Sequence, residues 1–216
     1  LEVYKADTTF RIETPETIDP DRTNPNAPMV AVVADRIGCA HPIVARVLLQ
    51  GRDILDLAIL RSSVDKGAVV CSLHSIKEAL VACHKAAEYL SQQVVAAEAA
   101  WAASQASTLA GQRVIPSLPQ VPDLEPKATQ FLIAAKRAIV AICGLVPHFL
   151  PVERPANNFD HLGQRLEAVL GATAPLTTFI REYSETSRYL IDLRNSQEHP
   201  KPERSTYIQN VRVQPD

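Results

Sequence analysis

From Val69 to Trp101 the apolar residues recur in alternating steps of four and three: Val69, Leu73, Ile76, Leu80, Cys83, Ala87, Leu90, Val94, Ala97 and Trp101. Only an α-helix keeps such positions on one face. The seam is roughly 50 Å long at about 1.5 Å per residue. A helix this long over 65–110 must lie along other helices or along a second copy of itself, because no short hairpin or sheet can cover it. The spine of a helical bundle is the simpler reading. Composition agrees: the 216 residues include only 7 Gly, and alanine and leucine are plentiful, which favours helix over a turn-rich sheet.

Further helices follow from the same periodicity. Val44, Leu48, Gly51, Leu55 and Ala58 share a face within 41–64. Ala128, Phe131, Ala135, Ile139 and Ile142 do so within 126–146, and Phe159, Leu162, Leu166 and Val169 within 157–170, which Gly171 closes. The last helix is expected to run unbroken from an N-cap at Thr173, with Pro175 in its first turn, to His199. Prolines in "PSLPQVPDLEP" (116–126) make a stiff connector. Pro15, Pro20, Pro25 and Pro28 argue against helix in the N-terminal segment 1–29. Phe10 and Ile12 alternate with polar neighbours, as do Val211 and Val213, and the two stretches are expected to pair as a two-stranded unit joining the ends. The expected class is all-α: a helical bundle with one long spine helix and that small β element. It divides into an extended segment, 1–29, and a single helical domain, 30–216, ending in a strand-like tail.

The net charge is −2, which excludes a protein that tracks a long nucleic acid by bulk attraction, so any contact with RNA must be local. The 4 cysteines lie in apolar helical stretches without paired spacing and read as reduced, buried thiols of a cytoplasmic protein. Cys71, His74, Cys83 and His84 invite a zinc reading. On one straight helix Cys83 lies about 120° and His84 about 220° from Cys71, so they cannot converge on an ion. No metal site and no cofactor are expected. The apolar run 138–150 is too short to span a bilayer, so no membrane is expected as a partner.

The most informative stretch is "YLIDLRNSQEHPKPE", Tyr189 to Glu203. Stepping 100° per residue from Leu176, the positions of Phe179, Ile180, Tyr183, Ser187, Leu190 and Ile191 fall within about 60° and define a buried stripe. Arg194 falls at about 0° and Glu198 at about 40°, so the stripe ends in a cation and an anion one turn apart. Removing a guanidinium from water costs several kcal/mol unless it is paired. Such a placement marks either the rim of the bundle or a use for the charge. His199 precedes Pro200, which pushes it out of helical geometry. An imidazole there, beside Glu198, can hold and release a proton near neutral pH.

The stretch "RNSQEH" fits R-x4-H, with polar Asn195 directly after the arginine, at the end of the final long helix of a helical domain. In this it resembles the HEPN superfamily of helical-bundle proteins. The resemblance implies a metal-independent endoribonuclease, often a toxin or defence component. It implies a homodimer whose two motifs line one cleft, and restraint by an antitoxin or other regulatory protein. It assigns catalytic roles to Arg194, on the phosphate; His199, in proton transfer; Asn195, on substrate or Arg194; and Glu198, orienting either. Arg188 and Lys201 are candidate phosphate contacts. The alternative is a non-enzymatic helical binding or sensor module that retains the motif without turnover.

Overall fold

The computed structural model describes residues 1–24, 26–109, 118–152, 155–201 and 205–210. It is mostly helical and divides into two compact units, Leu1–Lys77 and Glu78–Asp216, with the boundary inside one helix.

The first unit opens with a three-stranded antiparallel sheet of order β1-β2-β3: β1 (Glu2–Tyr4), β2 (Thr9–Glu13) and β3 (Val30–Asp35). Here the expected β element needs correction. Phe10 and Ile12 do form a strand, but Phe10 faces Val3 on one side and Val33 on the other, and Ile12 faces Ala31. The sheet is built within the N-terminal region. Val211 and Val213 lie outside the described residues, and 205–210 carry no strand. Segment 1–29 is also not uniformly extended. Pro15 starts a single helical turn, α1 (Pro15–Ile18), because its locked φ and missing N–H suit the first helical position. β3 begins at Val30, so the sheet runs across the expected 29/30 boundary.

The β1–β2 turn is held from outside. Cys39 N donates to Lys5 O at 2.7 Å and Ala40 N to Ala6 O at 2.8 Å, while Thr9 Oγ1 donates to Ile37 O at 2.7 Å. This approach requires a glycine, since a Cβ on Gly38 would lie 2.0 Å from Lys5 O. A π-helical stretch, Val44–Leu49, leads into α2 (Gln50–Leu57). The long helix α3 (Lys66–Leu109) then begins. Val44, Leu48, Leu55, Val69, Leu73 and Ile76 are buried in this unit. Gly51 brings α2 against Leu73, where a Cβ would stand only 3.0 Å from Cδ1.

In the second unit α4 (Leu124–Leu145), α5 (Phe159–Leu170), α6 (Pro175–Glu182) and α7 (Ser184–Glu198) enclose one core. It consists of Ile139, Cys143, Ala156, Leu162, Leu166 and Ile180, with Val146, Leu150, Phe159, Leu190 and Ile191 packed against it. Asn158 caps α5, its Oδ1 accepting from His161 N at 2.7 Å, and Gly171 ends it at φ 93°. Leu124–His148 is long and apolar enough to cross a membrane by length and composition, although 138–150 alone is not. Its buried face includes Leu132, Ala135, Ile139 and Cys143, the last two within that core.

The last helix is not continuous. Tyr183, at φ −95° and ψ 2°, separates α6 from α7. The N-cap position is Ala174 rather than Thr173. The break shifts the phase of α6, so Leu176, Phe179 and Tyr183, expected in the buried stripe, are 40%, 55% and 45% exposed. Ile180 is buried as expected, and Thr177 joins it on the buried face.

Candidate functional site at the end of α7

Within α7 the apolar stripe is real. Ser187 is buried, and Leu190 and Ile191 rest on the core. One turn further the same face reaches Arg194, whose side chain is 21% exposed, and then Glu198, at 30%. Arg194 Nη2 pairs with Glu198 Oε2. The same carboxylate oxygen stands 4.0 Å from His199 Nε2. Arg194 Nη1 donates to Asn195 Oδ1 at 3.3 Å, and Lys136 Nζ, from α4, donates to that oxygen at 3.4 Å.

This arrangement has a chemical consequence. Two cations fix the amide oxygen of Asn195 as acceptor, which leaves its NH2 group as a donor for something else. Asn195 lines a groove of about 720 Å³ together with Tyr189, Asp192, Leu193, Ser196, His199, Lys201, Ser205 and Thr206. Ser196 Oγ donates to Thr206 Oγ1 at 2.8 Å, which fastens the chain after the helix to its last turn. Gln197 donates to Thr129 on α4, a second tie between the end of α7 and the bundle.

α7 ends at Glu198, and His199 is its C-cap, at φ −129° and ψ 66° with its N–H donating to Asn195 O at 2.9 Å. This lies outside the α region, which the following Pro200 disfavours. His199 is therefore carried beyond the helix, with its side chain 76% exposed.

The sequence-predicted residues thus divide. Asn195, His199 and Lys201 come together along the groove. Arg194 and Glu198 do not line it; they pair beside it. Arg188 stands 3.9 Å from Asp160 of α5 and does not line the groove. Lys136 is the residue that sequence reasoning missed. Its tie to Asn195 links α4 to α7 across 59 positions, and no local spacing signals it.

In the first unit a separate polar cluster forms around Glu2. Its Oε2 accepts from the Tyr4 hydroxyl and lies 3.0 Å from His74 Nε2 and 3.3 Å from the buried Lys77 Nζ. Burial raises the pKa of Glu2, but the Tyr4 hydroxyl, Lys77 and His74 outweigh it and hold the carboxyl below its ordinary value. Burial and the bond to Glu2 push Tyr4 up to about 12. His74 and Cys71 also differ in setting: Cys71 is exposed, while His74 turns to Glu2.

Comparison with family models, with curated proteins and with solved structures finds no match to this chain.

Proposed function

We propose that the chain is a metal-independent endoribonuclease acting in the groove at the end of α7. The observation that carries this reading is the joint placement of an accessible imidazole, an ammonium and an oriented amide donor along one groove: His199, Lys201 and Asn195. RNA carries its own nucleophile, the 2′-OH, so a protein needs only to move protons and to stabilise phosphoryl charge. His199 takes the proton of the 2′-OH as its oxygen attacks the adjacent phosphorus, or protonates the departing 5′-oxygen. Lys201 and the Asn195 NH2 contact the phosphate oxygens. Arg194 acts as a positioning residue, holding Asn195 Oδ1 on one side and Glu198 on the other. The products carry 2′,3′-cyclic phosphate and 5′-hydroxyl ends.

A second reading, a binding or sensor groove without turnover, is favoured by one observation. The guanidinium that the motif would direct at phosphate is already engaged by Glu198. The two readings separate in one experiment. Single-stranded RNA is incubated with the chain in EDTA, with His199→Ala alongside, and RNA binding is followed in parallel. The nuclease reading expects cleavage that His199→Ala abolishes without weakening binding much. Intact RNA that nonetheless binds the groove, with binding lost in Lys201→Ala, supports the second reading. Neither cleavage nor binding removes both.

A further inference from the structure

The outer side of β3 is exposed and apolar from Val30 to Ala34. Met29, Val30, Val32 and Val33 are 70%, 41%, 47% and 56% exposed, and Ala31 and Ala34 are exposed as well. No charge interrupts 29–34. Edge strands are normally short, charged or covered, because their open N–H and C=O groups invite another strand. β1, the opposite edge, is only 3 residues long.

The register identifies the open groups. Ile12 N donates to Leu1 O at 2.8 Å, so the backbone of Ile12 faces β1. Backbone groups alternate along a strand. Arg11 and Glu13 therefore face β3, opposite Val32 and Val30. Ala31 and Val33, opposite Ile12 and Phe10, direct their N–H and C=O groups to the outer edge. No strand lies beside that edge among the described residues.

We infer that this edge joins two copies of the chain antiparallel through β3, with Val32 on the two-fold axis. In that register Ala31 of one copy meets Val33 of the second, and the reverse, so every outward group of these residues finds its partner. Val32 faces Val32 of the second copy, and Val30 faces Ala34. Charge selects the same arrangement. Asp35 lies opposite Met29, which keeps the two Asp35 carboxylates about 20 Å apart at about 3.3 Å per residue. That exceeds the Debye length of about 8 Å at physiological salt. A parallel alignment would set them side by side. A covering strand must also be apolar on both faces over this length, and β3 is itself such a strand. The inference is independent of the ribonuclease reading, since it concerns only the first unit.

The test has two arms on the full chain. Across a non-hydrogen-bonded antiparallel pair the Cα atoms stand about 4.5 Å apart, within disulfide range. Val32→Cys should therefore give a covalent dimer on mild oxidation, beyond any formed by the wild-type chain with its own cysteines. In the second arm, wild-type sedimentation should show a concentration-dependent dimer. Val33→Pro removes an outward N–H without touching the bonds to β2, and should weaken association by about tenfold or more. Circular dichroism checks that this variant folds. A wild-type chain that stays monomeric up to about 200 μM overturns the inference. So does a Val32→Cys chain that cross-links no more than wild type, or a dimer that folded Val33→Pro leaves unchanged.

Discussion

Replacing Arg194 by methionine separates a guanidinium kept for stability from one kept for a site. The favourable contributions are modest. The pair with Glu198 is an i,i+4 pair whose side chains are 21% and 30% exposed; screening by that much solvent leaves about 1 kcal/mol or less. The bond to Asn195 Oδ1 is long, at 3.3 Å, and contributes about 1 kcal/mol. One cost opposes them. Arg194 Nε is buried and has no hydrogen-bond partner among the described residues, which costs about 1–3 kcal/mol. Fixing the side chain costs about as much rotamer entropy for methionine as for arginine, so that contribution cancels. The sum lies near zero, and methionine keeps most of the methylene packing. Arg194→Met should therefore change unfolding free energy by no more than about 1 kcal/mol, or Tm by roughly 2–4 °C. Cleavage should nonetheless fall by about tenfold or more, because Asn195 loses one of its two anchors. Urea denaturation followed by circular dichroism gives the first quantity and an EDTA-buffered RNA assay the second. A loss of stability above about 3 kcal/mol would show that the arginine is structural. Unchanged turnover would show that it does not serve the groove.

Gly38→Ala should destabilise the first unit by about 3 kcal/mol or more, since its Cβ would meet backbone atoms at 2.0 and 2.4 Å; faster hydrogen exchange at Lys5 and Thr9 should accompany it. Glu2, held below its ordinary value of 4.5 by the partners that outweigh its burial, stabilises the fold above the unfolded-state value, and this contribution disappears as pH falls through the folded-state value. Glu2→Gln should therefore flatten the acid limb of stability below about pH 4.5, and an unchanged acid limb would remove the cluster from the account. Cys143 is fully buried and burial pushes its thiol up to about 11, whereas Cys71 is exposed. Iodoacetamide at neutral pH, read by mass spectrometry, should label Cys71 and spare Cys143 until urea unfolds the second unit.

The long helix α3 was legible because its apolar repeat persists over many turns, and α5 because Phe159, Leu162, Leu166 and Val169 share a face that Gly171 closes. β3 was not. Val30, Ala31, Val32 and Val33 show no apolar–polar alternation, although both faces of the strand are exposed, and alternation is the main local sign of a strand at a surface. Phe10 and Ile12 gave that sign, but the identity of a strand's partner is a long-range property. The nearest apolar run proved to be the right one and the distant tail was the wrong choice. The break at Tyr183 had no local signal either, for neither Gly nor Pro stands there; α6 packs against α5.

At the site, the same break ought to have spoiled the helical phase counted from Leu176, yet Arg194 lies where that count placed it. The reason is local. Ser187, Leu190 and Ile191 define the buried face of α7 on their own, and Arg194 follows them by seven, four and three residues. Spacing alone fixed the pairing of Arg194 with Glu198, and Pro200 alone fixed the exit of His199 from the helix. What spacing could not decide is which of these side chains meet the groove. That depends on where α4 presents Lys136 and where the chain beyond Pro200 returns to place Thr206 against Ser196. The motif supplies the chemical groups, and the tertiary ties decide which of them line the groove. Lys136→Met is therefore as sharp a probe of the groove as any residue within the motif, because it removes the second anchor of Asn195 from a helix that the motif does not include.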